Sequence, residues 1–293
     1  MTVMVTGASG MIGRTLVPLL IRNDEVRACV RRPEAALVLR AMGAKVAVGH
    51  LDDADALAEI LKRVFTVIHL VGGPTQGDDD AVLAANHGSV ITALAASREA
   101  GVSRFVLLSA TGAAVDASNR YLRAKGLAEE AVANSGLEHA IVRSTHAYGL
   151  GGSWLAVTVE GATASPPFVI GEGTQSVAPA FAGDVAGILA AVDDERSPVE
   201  GTWAFEGPNA VSMADLVELL SAPGAPPPIP VTPSEAAARL DTLGTHLSET
   251  AAELFALPSR ADAPDAAAAF GVTPTSLADG LRAVAQPTAG VER

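Results

Sequence analysis

Cysteine is almost missing: Cys29 stands alone among 293 residues. A lone thiol forms neither an intrachain disulfide nor a thiolate zinc site, which excludes a disulfide scaffold and metal-thiolate chemistry and suits a reducing cytosol. Basic residues are scarce, 20 Lys and Arg against 33 Asp and Glu, for a formal net charge of −13. Such a chain repels phosphate backbones and anionic membrane surfaces, so neither nucleic acid nor membrane is an expected partner. Long apolar runs are lacking as well. The uncharged stretch Ser144–Val159 carries Gly, Ser, Thr and His and is too short for a spanning helix. Met1–Gly13 shows no basic region followed by an apolar one, so no export signal is expected and the expectation is a cytoplasmic, soluble protein. Aromatic residues make up 4% of the chain, which gives little indication of pocket shape.

What is present is core material. With 49% hydrophobic residues and a mean hydropathy of +0.31, the chain can bury a sizeable interior. Short β-branched runs alternate with longer Ala/Leu-rich stretches. Strands are predicted at 3–5, 26–30, 45–48, 66–70, 104–108 and 139–142, with helices at 13–23, 34–42, 54–63, 81–100 and 121–134 between them. That order predicts a doubly wound α/β fold with six parallel strands. After Tyr148 the composition turns to Gly, Ser, Thr and Pro. Residues 1–148 are therefore expected to form the α/β domain and 149–293 a smaller mixed lobe, parts of which return to the first. Within the lobe, helices are expected at 184–192, 212–220 and 277–284. The proline-rich stretch 221–233 is expected to be an extended connector, followed by an Ala-rich helix capped by Ser234.

Directly after the first strand comes Thr6-Gly7-Ala8-Ser9-Gly10-Met11-Ile12-Gly13, with glycines at intervals of three opening into a helix. A tight turn and a close approach of backbone to a pyrophosphate both require residues without a Cβ, and a helix N-terminus supplies N–H donors and a positive dipole. The following βαβ units support a dinucleotide cradle over a bare surface turn. After the second strand, where an acidic residue would hold a free ribose 2′-hydroxyl, the chain has Arg31 and Arg32. Two guanidinium groups pair with a 2′-phosphate, so the expected cofactor is NADP(H).

These residues resemble the short-chain dehydrogenase/reductase (SDR) superfamily, in its atypical, NmrA-like and complex-I-subunit-like branch. The resemblance extends to Val67-Ile68-His69-Leu70, to Asn86 and Gly88, and to Gly101–Ser109. It continues through Tyr121-Leu122-Arg123-Ala124-Lys125 with Glu129, Ile141–Ser144 and Tyr148-Gly149. In the later lobe it includes Asp184-Val185-Ala186, Gly207-Pro208 and Phe270–Pro274. It implies a Rossmann-type domain with a C-terminal lobe closing over the nicotinamide. The candidate cofactor contacts are the turn residues together with Leu51, Val71, Gly72 and Lys125. Where the family has Gly-Asp against the adenine, this chain has Gly49-His50, and His50 is left either on the adenine or facing solvent.

Tyr121 and Lys125 lie four apart on a predicted helix and so share a face. An ammonium beside a phenol lowers its pKa, and such a pair can hand a proton to a carbonyl oxygen. The resemblance adds a ribose-holding role for Lys125, which relatives keep even where the tyrosine is lost. Ser109 or Thr111 would complete the triad, Ala110 standing where many relatives have serine; a Ser109 bonded only to backbone is the alternative. His146, Tyr148 and Trp154, beyond the sixth strand, are candidate substrate contacts, with a structural role as the alternative for His146 and Trp154. His69 is expected to be a satisfied core histidine, and Asp78–Asp80 a solvated helix start.

The expected function is NADPH-dependent reduction of a carbonyl (a ketone, a quinone or a polyketide-type intermediate) in a small apolar molecule, by a monomer without metal. The alternative is a non-catalytic NADP(H)-binding sensor or assembly factor. A sugar-nucleotide epimerase or dehydratase fits less well, because residues 150–195 contain no Lys or Arg to hold a diphosphate.

Overall fold

In the computed structural model the described residues are 1–49, 52–74, 78–194 and 200–286. The first half alternates as the periodicity predicts. β1 (Thr2–Thr6), α1 (Met11–Leu20), β2 (Glu25–Val30), α2 (Pro33–Ala41), β3 (Lys45–Val48), α3 (Ala54–Leu61) and β4 (Thr66–His69) follow one another. The predicted helix over 81–100 is broken into α4 (Asp79–Leu83), a π-helical turn at Ala84–Gly88 and α5 (Ser89–Ala100). Then come β5 (Arg104–Ala110), α6 (Arg120–Ala133) and β6 (Glu138–Ser144).

The second half supplies β7 (Ala147–Tyr148), α7 (Ser153–Thr163), β8 (Phe168–Ile170), β9 (Ser176–Val177), β10 (Ala180–Phe181) and α8 (Ala182–Val192). It continues with β11 (Gly201–Phe205), β12 (Val211–Ser212), α9 (Met213–Leu220), β13 (Ile229–Val231) and α10 (Pro233–Thr242). The chain closes with α11 (Glu249–Phe255), α12 (Ala266–Phe270) and α13 (Leu277–Ala285).

The main sheet has seven parallel strands in the order β11-β6-β5-β4-β1-β2-β3, so the expected six are joined by β11, which pairs with β6. Gly201-Thr-Trp-Ala-Phe is short, and its glycine and flanking turn residues hide it from a periodicity reading. The chain leaves β1 toward β2 on one side and returns to β4 on the other, which opens a crevice at the carboxyl ends of β1 and β4.

Helices cover both faces. On one, Ile12, Leu16 and Val17 of α1 pack with Val185, Ile188 and Leu189 of α8, and α2 and α12 join the same cluster. On the other, Leu57 and Leu61 of α3 meet Val90 and Leu94 of α5 and Val132 of α6. Burying each such aliphatic side chain contributes on the order of 1.5–3 kcal/mol. A third cluster joins Trp154, Phe168, Leu216, Leu240 and Phe255 of the second half to Leu122 of α6.

Two local expectations are corrected. The proline-rich stretch ends in β13, which pairs with β8: the Ile229 amide donates to Pro167 and the Val231 carbonyl accepts from Gly171, so Pro230 between them leaves no ladder donor missing. The helix after it is capped not by Ser234 but by Thr232, whose side chain accepts from the Glu235 amide while Glu235 reaches back to the Thr232 amide. Among the described residues no helix is long and apolar enough to cross a membrane.

Candidate functional site

A cavity of about 800 Å³ opens at the crevice. Its floor is the glycine turn. Gly7 has φ +73°, and a Cβ there would lie 2.9 Å from the Leu70 carbonyl carbon; at Gly13 one would lie 2.6 Å from the Gly7 oxygen. Gly10 caps α1 without a side-chain acceptor. The first-turn amides of α1, which have no acceptor within the helix, therefore face the cavity unscreened. Those residues fit a dinucleotide phosphate: the turn closes only without a Cβ at Gly7 and Gly13, and it leaves the first-turn amides bare. Met11 ties it to the second half, since Cβ atoms at Gly149 and Gly152 would meet its sulfur at 3.1 and 2.6 Å.

Beside the turn, Gly72 and Gly73 follow β4. The Asn86 Nδ2 in the π turn donates to the Gly73 carbonyl at 3.1 Å and to Val82 at 2.9 Å, pinning this rim. Thr6 lies beneath rather than in the cavity wall; its hydroxyl pairs with His69 Nδ1 at 3.0 Å. His69 also meets Ser89 Oγ at 3.1 Å and is held well below its ordinary range, to about 3, by burial and by Lys125. It is the neutral core histidine expected. Ser9 and Val71 also lie outside the cavity wall. Arg31 and Arg32 are exposed at the end of β2, and Cys29 of that strand pairs with Thr6, so the two guanidinium groups follow the same sheet edge as the turn. His50 and Leu51 lie outside the described residues. Asp78 caps α4 by accepting from the Ala81 amide, in keeping with a simple helix start.

The opposite wall is α6. Asn119 caps it, accepting from the Tyr121 and Leu122 amides, while its Nδ2 donates to Thr250 of α11. This sets Tyr121 and Lys125 one turn apart, both on the cavity, with the Lys125 nitrogen 5.9 Å from the Tyr121 ring centre. The ammonium donates to the Leu108 carbonyl at 3.0 Å, and burial pulls it down to about 8 against the pull of Glu129. The expected lowering of the phenol is not found. Burial pushes Tyr121 above its ordinary value, because desolvation disfavours the phenolate.

β5 runs to Ala110, so Ser109 sits within the strand; it lines the cavity, and its buried hydroxyl has no partner among the described residues. Thr111 lines the cavity too, 3.5 Å from the Ser259 hydroxyl. His146 and Trp154 form part of the wall, stacked with ring centres 5.2 Å apart, and Phe255 meets His146 edge-on at 5.7 Å. Burial lowers His146 to about 4. Tyr148 is a correction: it is 1% exposed, absent from the cavity wall, and packed against Phe181 and Gly280.

The sequence reading missed the segment that crosses the mouth after α11. Asp262 accepts from the Gly112 amide at 2.7 Å and from Arg143 at 3.0 Å, and Ser259 accepts from the His146 amide. Arg260 lines the cavity but pairs with Glu206 through two bonds of 2.9 and 3.0 Å. The stretch 256–262 carries no motif; only its fold contacts reveal it.

Residues 7–151 match the NAD(P)H-binding family. The chain is 31% identical over 227 residues, 74% of its length, to NADH dehydrogenase [ubiquinone] 1 alpha subcomplex subunit 9, mitochondrial, of Arabidopsis thaliana, of which the match covers 56%. It is 34% identical over 142 residues, 48% of its length, to the (4-alkanoyl-5-oxo-2,5-dihydrofuran-3-yl)methyl phosphate reductase of Streptomyces griseus, of which the match covers 46%. It thus spans about half the length of the curated relatives it matches. Among solved structures, the UDP-glucuronic acid 4-epimerase from Bacillus cereus, in complex with UDP-glucuronic acid and NAD, superposes with a TM-score of 0.74. That superposition covers 97% of this chain and 98% of the other at 18% identity, a likeness of fold.

Proposed function

Since the chain belongs to the NAD(P)H-binding family of Rossmann-type, SDR-like proteins, we propose that it is an NADPH-dependent reductase of a carbonyl group in a small, apolar molecule. Within that family we place it in the NmrA-like, complex-I-subunit-like branch. The observation that carries the reading is that Tyr121, Lys125 and Ser109 line the same cavity as the glycine cradle. The reductase-named relative supports it.

A bound reduced nicotinamide supplies hydride to the carbonyl carbon. The first-turn amides of α1 hold the pyrophosphate, Arg31 and Arg32 the 2′-phosphate, and Lys125 the ribose. Tyr121 gives its proton to the carbonyl oxygen. Its raised pKa keeps the phenol protonated at neutral pH, the form a donor needs, and the Lys125 ammonium stabilises the phenolate left behind. The unpartnered Ser109 hydroxyl donates to the same oxygen and orients it.

The test is Tyr121→Phe. Turnover of the best carbonyl in a panel of ketones and quinones, followed by NADPH absorbance, falls at least about 100-fold. NADPH affinity, measured by calorimetry, stays within about twofold. Retained turnover removes Tyr121 as donor.

A second reading, a non-catalytic NADP(H)-binding sensor or assembly factor, rests on the similarity to a respiratory-complex subunit over 74% of the chain. It expects no NADPH oxidation with any carbonyl, together with partner retention that changes with NADP+. The epimerase reading has less support, because residues 150–195 lack Lys and Arg and Arg260 is already engaged by Glu206.

A further inference from the structure

Beyond the Tyr121–Lys125 pair, the cavity ends in an apolar wall of Trp154, Leu254, Phe255, Leu257 and Pro258 with His146. Three features set its chemistry. Its rings are already ordered: His146 and Trp154 are near-parallel, 21° apart, and Phe255 stands at 88° to the imidazole with ring centres 5.7 Å apart. The His146 backbone is fixed by its amide bond to Ser259. The wall is also uncharged. The cations lining the cavity are Lys125, which donates to a backbone carbonyl, and Arg260, held by Glu206; Asp262 is neutralised by Arg143. The imidazole, pulled down to about 4, is neutral near pH 7. Finally, the His146 Nε2 and Trp154 Nε1 are buried without a partner among the described residues.

A rigid, neutral stack of this kind recognises a flat π-face by offset stacking rather than a phosphate or a carboxylate. We propose that His146 and Trp154 are specificity-determining residues and that the carbonyl substrate bears a planar aromatic or quinonoid ring, which continues their stack. This rests on the reductase reading for the word substrate, but the ring-binding wall itself does not.

The discriminating pair of probes is 1-tetralone and 1-decalone, ketones on the same ten-carbon skeleton, one with a fused aromatic ring and one saturated. Calorimetric titration of the full chain in the presence of NADP+ reads binding without turnover. The expected result is that 1-tetralone binds about threefold to tenfold tighter than 1-decalone, the range of an aromatic pair. Trp154→Leu and His146→Leu each erase that preference, whereas Trp154→Phe keeps most of it. Equal binding of the two ketones, binding of neither, or a preference that survives both leucine variants overturns the proposal. The comparison in the unmodified chain decides the matter even where a variant fails to fold. Preferred binding of 1-tetralone without any NADPH oxidation leaves the aromatic wall standing and removes the reductase reading. NADPH oxidation with equal binding of both ketones does the reverse.

Discussion

In the proposed function, Arg31 and Arg32 are the residues on which the choice of dinucleotide turns. Both are exposed at the sheet edge that carries the glycine turn, so they are available to a 2′-phosphate without first breaking a buried contact. A charge-assisted pair to a phosphate contributes more than a neutral hydrogen bond, and the chain's overall charge of −13 offers little other attraction for the anion. The double variant Arg31→Ala/Arg32→Ala is expected to lower NADP+ affinity by roughly 10-fold to 100-fold while leaving NAD+ affinity within about twofold, measured by calorimetry. Equal losses for both dinucleotides would assign the pair a structural role. At this scale the sequence was legible where a residue type answers a local requirement. Gly7 and Gly13 stand where a Cβ cannot, and Lys125 lies one turn from Tyr121. It was not legible where the surroundings decide. Nothing in the letters told that burial would raise the Tyr121 phenol, or that Tyr148 would turn into the core while His146 and Trp154 faced the cavity.

The helix α6 is the element that converts this fold into a site, because it presents Tyr121 and Lys125 together. Its distance from the loop that follows β5 is set by Gly126: a Cβ there would overlap the backbone of Ala114 and Val115, and backbone cannot rotate away. Gly126→Ala therefore pushes α6 off that loop without replacing any cavity side chain. Overpacking of this kind costs typically 1–3 kcal/mol. The expected outcome is a fall of several degrees in melting temperature with at least about a tenfold loss of NADPH affinity, read by thermal unfolding and calorimetry. An unchanged affinity would mean that α6 keeps its position. Most elements were legible from period alone, since β1, β2 and β4 to β6 are short apolar runs largely buried on both faces, and β3, at the sheet edge, is a short run with two valines. Those that escaped depend on partners far along the chain: β11 exists because β6 has a free edge, and the π turn at 84–88 because Asn86 must reach Gly73.

For the molecule as a whole, two buried neutral histidines set the response to acid. His69, beneath the glycine turn, is held to about 3, and His146, in the cavity wall, to about 4, both chiefly by burial, against an ordinary value of 6.5. Below pH 6.5 the unfolded chain takes up protons at these positions while the folded chain does not, so stability falls as pH falls. The loss from each stops only below its folded pKa. The slope per histidine is at most about 1.4 kcal/mol per pH unit. Acidification toward the isoelectric point of about 4.8 also relieves self-repulsion among 33 carboxylates, which works in the opposite direction. Comparing variants at equal pH separates the two effects, because the charge term is nearly common to all of them. Urea unfolding at pH 7 and pH 5 is expected to show the unmodified protein losing stability between those values and His69→Gln and His146→Phe each losing less of it. Equal losses in all three proteins would place the acid response elsewhere in the chain.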